Sequence, residues 1–139
     1  MPMRVDYFLD TNILIYAALG KGPQERKRKI AHDLVVDGRF GISTQVLQEF
    51  YTNAIRNTVR PLTPDEALQW IDELQLQECV TVDQALIKVG IEISLRYRIN
   101  YWDGAILAAA ECLGAEVVYT EDLNHGQSYG PVRVVNPFL

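Results

Sequence analysis

Apolar and polar positions follow two rhythms in alternation along this chain. Residues 5–9 form a short apolar run that reads as a buried strand. Asp10, Thr11 and Asn12, all helix-capping types, lead from it straight into the apolar residues 13–19. Gly20 and Gly22 stop that helix. Pro23 opens a second one, with Ile30, Ala31, Leu34 and Val35 on its inner side and Gly38 at its end. Residues 40–42 predict another strand, with Ser43 and Thr44 as candidate N-caps behind it. Val46, Leu47, Phe50, Tyr51, Ala54 and Ile55 then recur at helical spacing as one stripe, with Glu49 and Asn53 at its margin.

Thr63-Pro64-Asp65-Glu66 is a capping box with proline at the first helical position, and it predicts a helix through Leu76. Residues 80–82 read as a brief strand, and Asp83 as the cap of a helix carrying Leu86, Ile87, Ile91 and Tyr97. Residues 99–102 are expected to be extended, with Asp103 heading an Ala-rich helix that Gly114 closes. Residues 116–119 and 133–135 are further strands. Between them lie Thr120-Glu121-Asp122 and the turn-forming Asn124-His125-Gly126, and Asn136-Pro137 cuts the last strand off. Strands alternating with helices predict an α/β fold, three layers (α/β/α) around a parallel sheet of about five strands.

Composition narrows the class. A length of 139 residues suits one domain spanning 1–139, and a core this size needs no disulfide or metal to hold it. Hydrophobic residues at 48% and charged residues at 22% exclude disordered, collagenous and low-complexity material. Eighteen acids against thirteen bases give a net charge of −5, unlike a general nucleic-acid coating protein. Contact with phosphates therefore needs a local patch or a metal. Cys79 and Cys112 lack paired spacing and are read as two buried free thiols, and neither histidine, His32 or His125, lies near them. Residues 1–4 show no signal-peptide pattern, and the longest apolar stretch, residues 13–19, is short of a membrane span. A soluble, cytoplasmic protein is expected.

The candidate chemistry lies in four acids. Functional groups of open parallel sheets gather beyond the carboxyl ends of the strands. Asp10 follows the first strand, and Asp122 follows the strand at 116–119 by way of Thr120. Glu49 lies about two turns into the helix after the second strand, and Asp103 heads a helix facing the same edge. Such carboxylates repel one another in a reduced dielectric unless some bind protons or a cation is present. An oxygen-rich, histidine-free set suits Mg²⁺ or Mn²⁺. A cation of that kind points to hydrolysis of a phosphodiester. Taken singly, Asp10 and Asp103 equally suit helix caps, Glu49 a solvated helix face and Asp122 a turn; Thr11, Asn12 and Thr120 suit backbone capping.

Longer stretches carry a resemblance. Residues 8–16 (Phe-Leu-Asp-Thr-Asn-Ile-Leu-Ile-Tyr) resemble the opening of PIN-domain proteins, metal-dependent ribonucleases that include VapC-type toxins. Residues 43–50, 101–110 and 120–123 are similar to the second, third and fourth motifs of that family, in order along nearly the whole chain. The resemblance implies a five-stranded parallel sheet and an acidic pocket for Mg²⁺ or Mn²⁺. By carry-over, Asp10, Glu49, Asp103 and Asp122 are the metal-binding and catalytic acids, supported by Asn12 and Thr120. Asp122 takes the fourth position by motif, with the adjacent Glu121 as the alternative. The resemblance further implies an RNA substrate, a homodimer and a cognate antitoxin.

Two features stand outside these motifs. Lys21, Arg26, Lys27, Arg28 and Lys29 put five cations within nine residues, either an RNA-backbone rim or a solvated helix face. Arg56 and Arg60, expected on the Glu49 helix, are a second candidate rim. Tyr51, Trp70, Tyr97 and Trp102 read as core or dimer-interface residues rather than base-stacking platforms. The competing functions are a Mg²⁺-dependent phosphohydrolase with an aspartyl-phosphate nucleophile and a non-catalytic PIN-like interaction module. The phosphohydrolase usually needs an acid two residues after the first Asp, where this chain has Asn12. The binding module has no physical need for four mutually repelling acids.

Overall fold

The structure, a computed structural model, describes residues 5–20 and 22–139; the readings made for residues 1–4 and Lys21 lie outside these. Strand β1 (Tyr7–Leu9) buries Phe8 and Leu9 completely. Asp10 leaves it in an extended conformation, and its carboxylate accepts the Thr11 N–H, which starts α1 (Thr11–Leu19) without a loop. Pro23 lies in a 3₁₀ turn (Gly22–Gln24), so α2 (Glu25–Asp37) begins just after it. β2 (Phe40–Ser43) passes directly into α3 (Thr44–Arg56). Of the two candidate caps there it is Ser43 that accepts the Val46 N–H, while the Thr44 hydroxyl accepts from Val82 N.

The Thr63–Glu66 capping box forms in both directions and opens α4 (Pro64–Leu74). Then follow β3 (Glu78–Val80), α5 (Gln84–Tyr97) capped by Asp83, α6 (Tyr101–Cys112), β4 (Val117–Tyr119), β5 (Ser128–Tyr129) and β6 (Val132–Val135). The strand order is β3-β2-β1-β4-β6-β5. All pairings are parallel except β5 with β6. α6 packs against β2, β4 and β6 with α5 against it, and α1 packs on α2 and α3. The fold is thus α/β, a mostly parallel sheet flanked by helices. β1 and β4 are neighbours at the point where the winding of the chain reverses, the place where open α/β sheets leave a crevice.

Several expectations need correction. The sheet has a sixth strand, because the turn after Asp122 returns as the two-residue β5 paired with β6. Residues 101–102 are helical rather than extended: Asn100 caps α6 by accepting the Asp103 N–H at 2.9 Å, so Asp103 sits inside the first turn. β3 lies earlier than residues 80–82, in register with β2, and α4 ends at Leu74 rather than Leu76. Arg60 is not on α3, which stops at Arg56; Asn57 then accepts the N–H groups of Val59 and Arg60 in a turn. The thiols are free but not both buried. Cys79 is half-buried, and Cys112 is exposed because the buried stretch of α6 ends at Ala110. No helix among the described residues is long and apolar enough to cross a membrane.

Candidate functional site

The chain places Asp10 at the carboxyl end of β1 and Thr120 at the carboxyl end of β4, side by side across the reversal point. The Asp10 N–H donates to the Tyr119 carbonyl at 3.1 Å, which extends the strand pairing past Leu9. Thr120, wholly buried, donates its hydroxyl to Asp10 Oδ2 at 2.9 Å. Thr120 Oγ1 in turn accepts Asn12 Nδ2 at 3.2 Å and the Asp122 N–H at 3.1 Å. Asn12 Nδ2 also donates to Asp122 Oδ2 at 3.1 Å. One hydroxyl and one amide therefore tie the first acid to the fourth.

Asp10 is 5% exposed. Burial pushes its carboxyl up to about 7, the hydrogen bonds from Thr11 N–H and the Thr120 hydroxyl pull it down, and the charges of Asp122 and Glu49 add to the rise. Asp103 is also raised, first by burial and further by the charge of Asp122, against the lowering effect of Asn100. The Asn100 amide donates to Asp103 Oδ2 at 2.8 Å. Glu49 accepts Gln45 Nε2 at 2.8 Å, one helical turn away on α3. The four expected acids thus lie within electrostatic reach of one another, paired Asp10 with Asp122, Asp10 with Glu49, and Asp103 with Asp122. They do not close into a cage: no three His, Cys, Asp or Glu side chains among the described residues converge as a metal-binding group.

The adjacent acids 121 and 122 part company. Glu121 turns to the α1–α2 side, where Oε1 accepts the Tyr16 hydroxyl at 2.7 Å and Oε2 pairs with Lys27 Nζ at 3.1 Å. Lys27 also lies over the rings of Tyr16 and Phe138, at 4.8 and 5.3 Å from their centroids. Arg26 donates to the Phe138 carbonyl at 2.8 Å, and Arg28 pairs with Glu25. Among the described residues of the basic run, Arg26, Lys27 and Arg28 are engaged within the protein, which argues against a free rim at these three.

Donor chemistry is the remaining guide to a metal. All the ligands on offer are hard oxygens, and Asn12 Oδ1 is buried with no hydrogen-bond partner among the described residues. A divalent cation that takes one or two carboxylates and keeps its waters fits this open set better than one needing a full protein cage. Sequence reasoning did not single out Gln45 or Asn100. Gln45 is buried, and its amide donates both to Glu49 and to the Trp102 carbonyl, at 3.2 Å for the latter. The four-residue spacing of Gln45 and Glu49, and an Asn three residues before Asp103, are the signals that could have found them.

Comparison with known proteins agrees with this topology. A family model described as PIN domain matches residues 7–128. A toxin–antitoxin complex from Klebsiella pneumoniae contains a similar chain, with a TM-score of 0.70 at 19% identity, covering 94% of this chain and 97% of that one. DNA-bound VapBC from Salmonella typhimurium gives 0.63 at 22% identity, with coverage of 95% and 97%. VapC20 of Mycobacterium tuberculosis, a sarcin–ricin loop cleaving toxin, gives 0.62 at 21%, with coverage of 84% and 89%. No protein with a curated description matches the chain.

Proposed function

The chain belongs to the PIN domain family, and on that premise we propose that it is a divalent-metal-dependent endoribonuclease, the toxin of a toxin–antitoxin pair. The observation that carries this reading is the buried Asp10 carboxylate, tied through Thr120 and Asn12 to Asp122 from the far end of the chain. A binding module would gain nothing from holding a desolvated carboxyl beside a second acid. Asp10 and Asp122 would hold Mg²⁺ or Mn²⁺, with Asp103 and Glu49 reaching toward the same ion. When bound, that ion supplies a more acidic water and offsets charge on the phosphate.

The protein's own groups supply position. Thr11 N–H and the Thr120 hydroxyl each take one oxygen of Asp10, so the carboxylate is aimed rather than free to rotate. That arrangement also counts against an aspartyl-phosphate mechanism, in which an Asp10 oxygen would have to attack phosphorus itself. Asn100 holds Asp103 in the first turn of α6, and Gln45 holds Glu49. An antitoxin partner belongs to the same proposal, supported by the toxin–antitoxin setting of the structural relatives, and the homodimer and a cytoplasmic setting go with it as implications of the family reading.

The test is cleavage of single-stranded RNA with Mg²⁺ or Mn²⁺, with and without chelator, by the wild type and by Asp10→Asn. Cleavage that needs the ion and is lost in the variant is expected. Cleavage that persists in excess EDTA, or survives Asp10→Asn, overturns the reading.

A further inference from the structure

Trp102 is 65% exposed in the single chain, so of the two expected places, core or dimer interface, it does not occupy the core. The other aromatics singled out with it are accounted for differently: Trp70 packs on Phe50, Tyr97 on Tyr129, and Tyr51 is half-buried against the core. Trp102 touches Tyr101 edge-on, at 5.1 Å between centroids. Its position is tied to the acidic site, because the Gln45 amide that donates to Glu49 also donates to the Trp102 carbonyl, and the next residue is Asp103. Between α3 and this indole lies a pocket of about 370 Å³ lined by Gln45, Gln48, Glu49, Thr52 and Trp102.

We propose that this pocket holds one nucleobase of the RNA, stacked on Trp102, with its edge offered to Gln48 and Thr52. The proposal rests on the nuclease reading and adds the subsite that fixes where along a strand the acids act. Single-stranded RNA is recognised chiefly by unstacked bases laid on aromatic rings and hydrogen-bonded along their edges. The Gln48 side chain is exposed and offers a donor and an acceptor together, the pattern that reads a base edge. The Thr52 hydroxyl donates to the Glu49 carbonyl at 3.2 Å and keeps acceptor capacity for a base amino group.

Charge leads to the same place. The chain carries −5, and Lys27, Arg28 and Arg26 are engaged by Glu121, Glu25 and the Phe138 carbonyl. Those three cations are therefore less available to phosphates, and stacking, which needs no charge, adds affinity beside the exposed Arg56 and Arg60. A protein segment is the competing occupant, since a more apolar groove of about 660 Å³ lined by Val82, Ile87 and Ile91 continues past Trp102. The smaller pocket differs in that Gln48, Thr52 and Glu49 lie around its one ring, so it combines a stacking face with groups able to meet a base edge.

The test measures binding without turnover, with the full chain in EDTA and labelled twelve-residue oligo(A), oligo(U) and an abasic ribose-phosphate oligomer. Only two tryptophans are present, so Trp70→Phe leaves Trp102 as the sole indole. Both base-bearing oligomers are expected to quench its emission and the abasic one to leave it unchanged. By anisotropy, Trp102→Ala should weaken oligomer binding about ten- to a hundredfold, with Trp102→Phe recovering most of it. Wild-type affinity in Trp102→Ala, or unquenched emission at saturating RNA, overturns the proposal. So does sedimentation showing that Trp102→Ala only dissociates an oligomer, which assigns the ring to a protein contact. Metal-dependent cleavage with unchanged Trp102→Ala binding removes the subsite and leaves the nuclease standing. Quenching without cleavage under any metal removes the nuclease and leaves an RNA-binding site.

Discussion

Thr120 donates its hydroxyl to Asp10 at 2.9 Å across 110 residues of sequence, and both side chains are buried. Thr120→Val keeps the shape and deletes the hub. Asp10 loses a donor, and the Asp122 N–H and Asn12 amide lose an acceptor. A stability loss of about 1–3 kcal/mol is expected in urea denaturation. The hydroxyl also lowers the Asp10 pKa, so its removal should move the rising limb of the pH–activity profile to higher pH. Thr120→Ser should behave as wild type in both measurements.

Asp10 also makes folding stability depend on pH. Its carboxyl stands at 3.8 when unperturbed and at about 7 in the folded protein. Between those values the native state holds a proton that the unfolded chain has released, so stability falls as pH rises through this window and levels off above it. Asp10→Asn should flatten this dependence and make the metal-free protein more stable at pH 8, on the order of 2–4 kcal/mol. Denaturation of chelated protein at pH 5 and pH 8 checks it. A variant weaker than wild type at pH 8 would assign Asp10 chiefly to capping α1.

Metal binding should release protons. An ion held by Asp10 requires its ionised form, which is only partly present below about pH 7. Titration calorimetry with Mn²⁺ at pH 6 in buffers of different ionisation enthalpy should show proton release that fades by pH 8. Identical heats in all buffers at pH 6 would mean that the ion sits elsewhere.

Replacing Lys27, Arg28 and Lys29 together with Ala should cost stability more than RNA affinity. Lys27 closes onto Glu121, Tyr16 and Phe138, an exchange worth about 1–2 kcal/mol. The slope of log affinity against log salt should change by no more than about one released counterion. A change of two or more would restore the basic rim.

Gly104 lets α5 and α6 approach. A Cβ there would meet the Gly90 carbonyl oxygen at 2.5 Å and Ser94 Cβ at 3.1 Å, and the backbone carbonyl cannot yield without moving the helix. Gly104→Ala should destabilise by about 1–3 kcal/mol in urea denaturation and displace the first turn of α6, lowering activity through Asp103. Unchanged stability would mean that this helix contact is loose.

The strand-to-acid junctions are readable in the sequence because they are local: an apolar run, then a capping residue, with nothing between. Asp10 after β1 and Thr120 after β4 follow from that pattern alone, and so does the sheet they terminate. What escapes is whatever depends on partners distant in sequence. Two adjacent acids look alike as letters, yet Glu121 faces Lys27 and Tyr16 while Asp122 faces Asn12. The basic run looks solvated until its partners are known. Trp102 reads as core or dimer interface because large aromatics usually are, and only the packing around α6 shows that it is not core. The start of α6 is a local miss, since Asn100 rather than Asp103 is the better cap.

The joining of Asp10 to Thr120 also makes the centre non-local: the first acid is aimed only once a side chain 110 residues further along has packed beside it. A fragment cut between the two would keep the carboxyl but lose that donor, so the centre assembles together with the sheet or not at all.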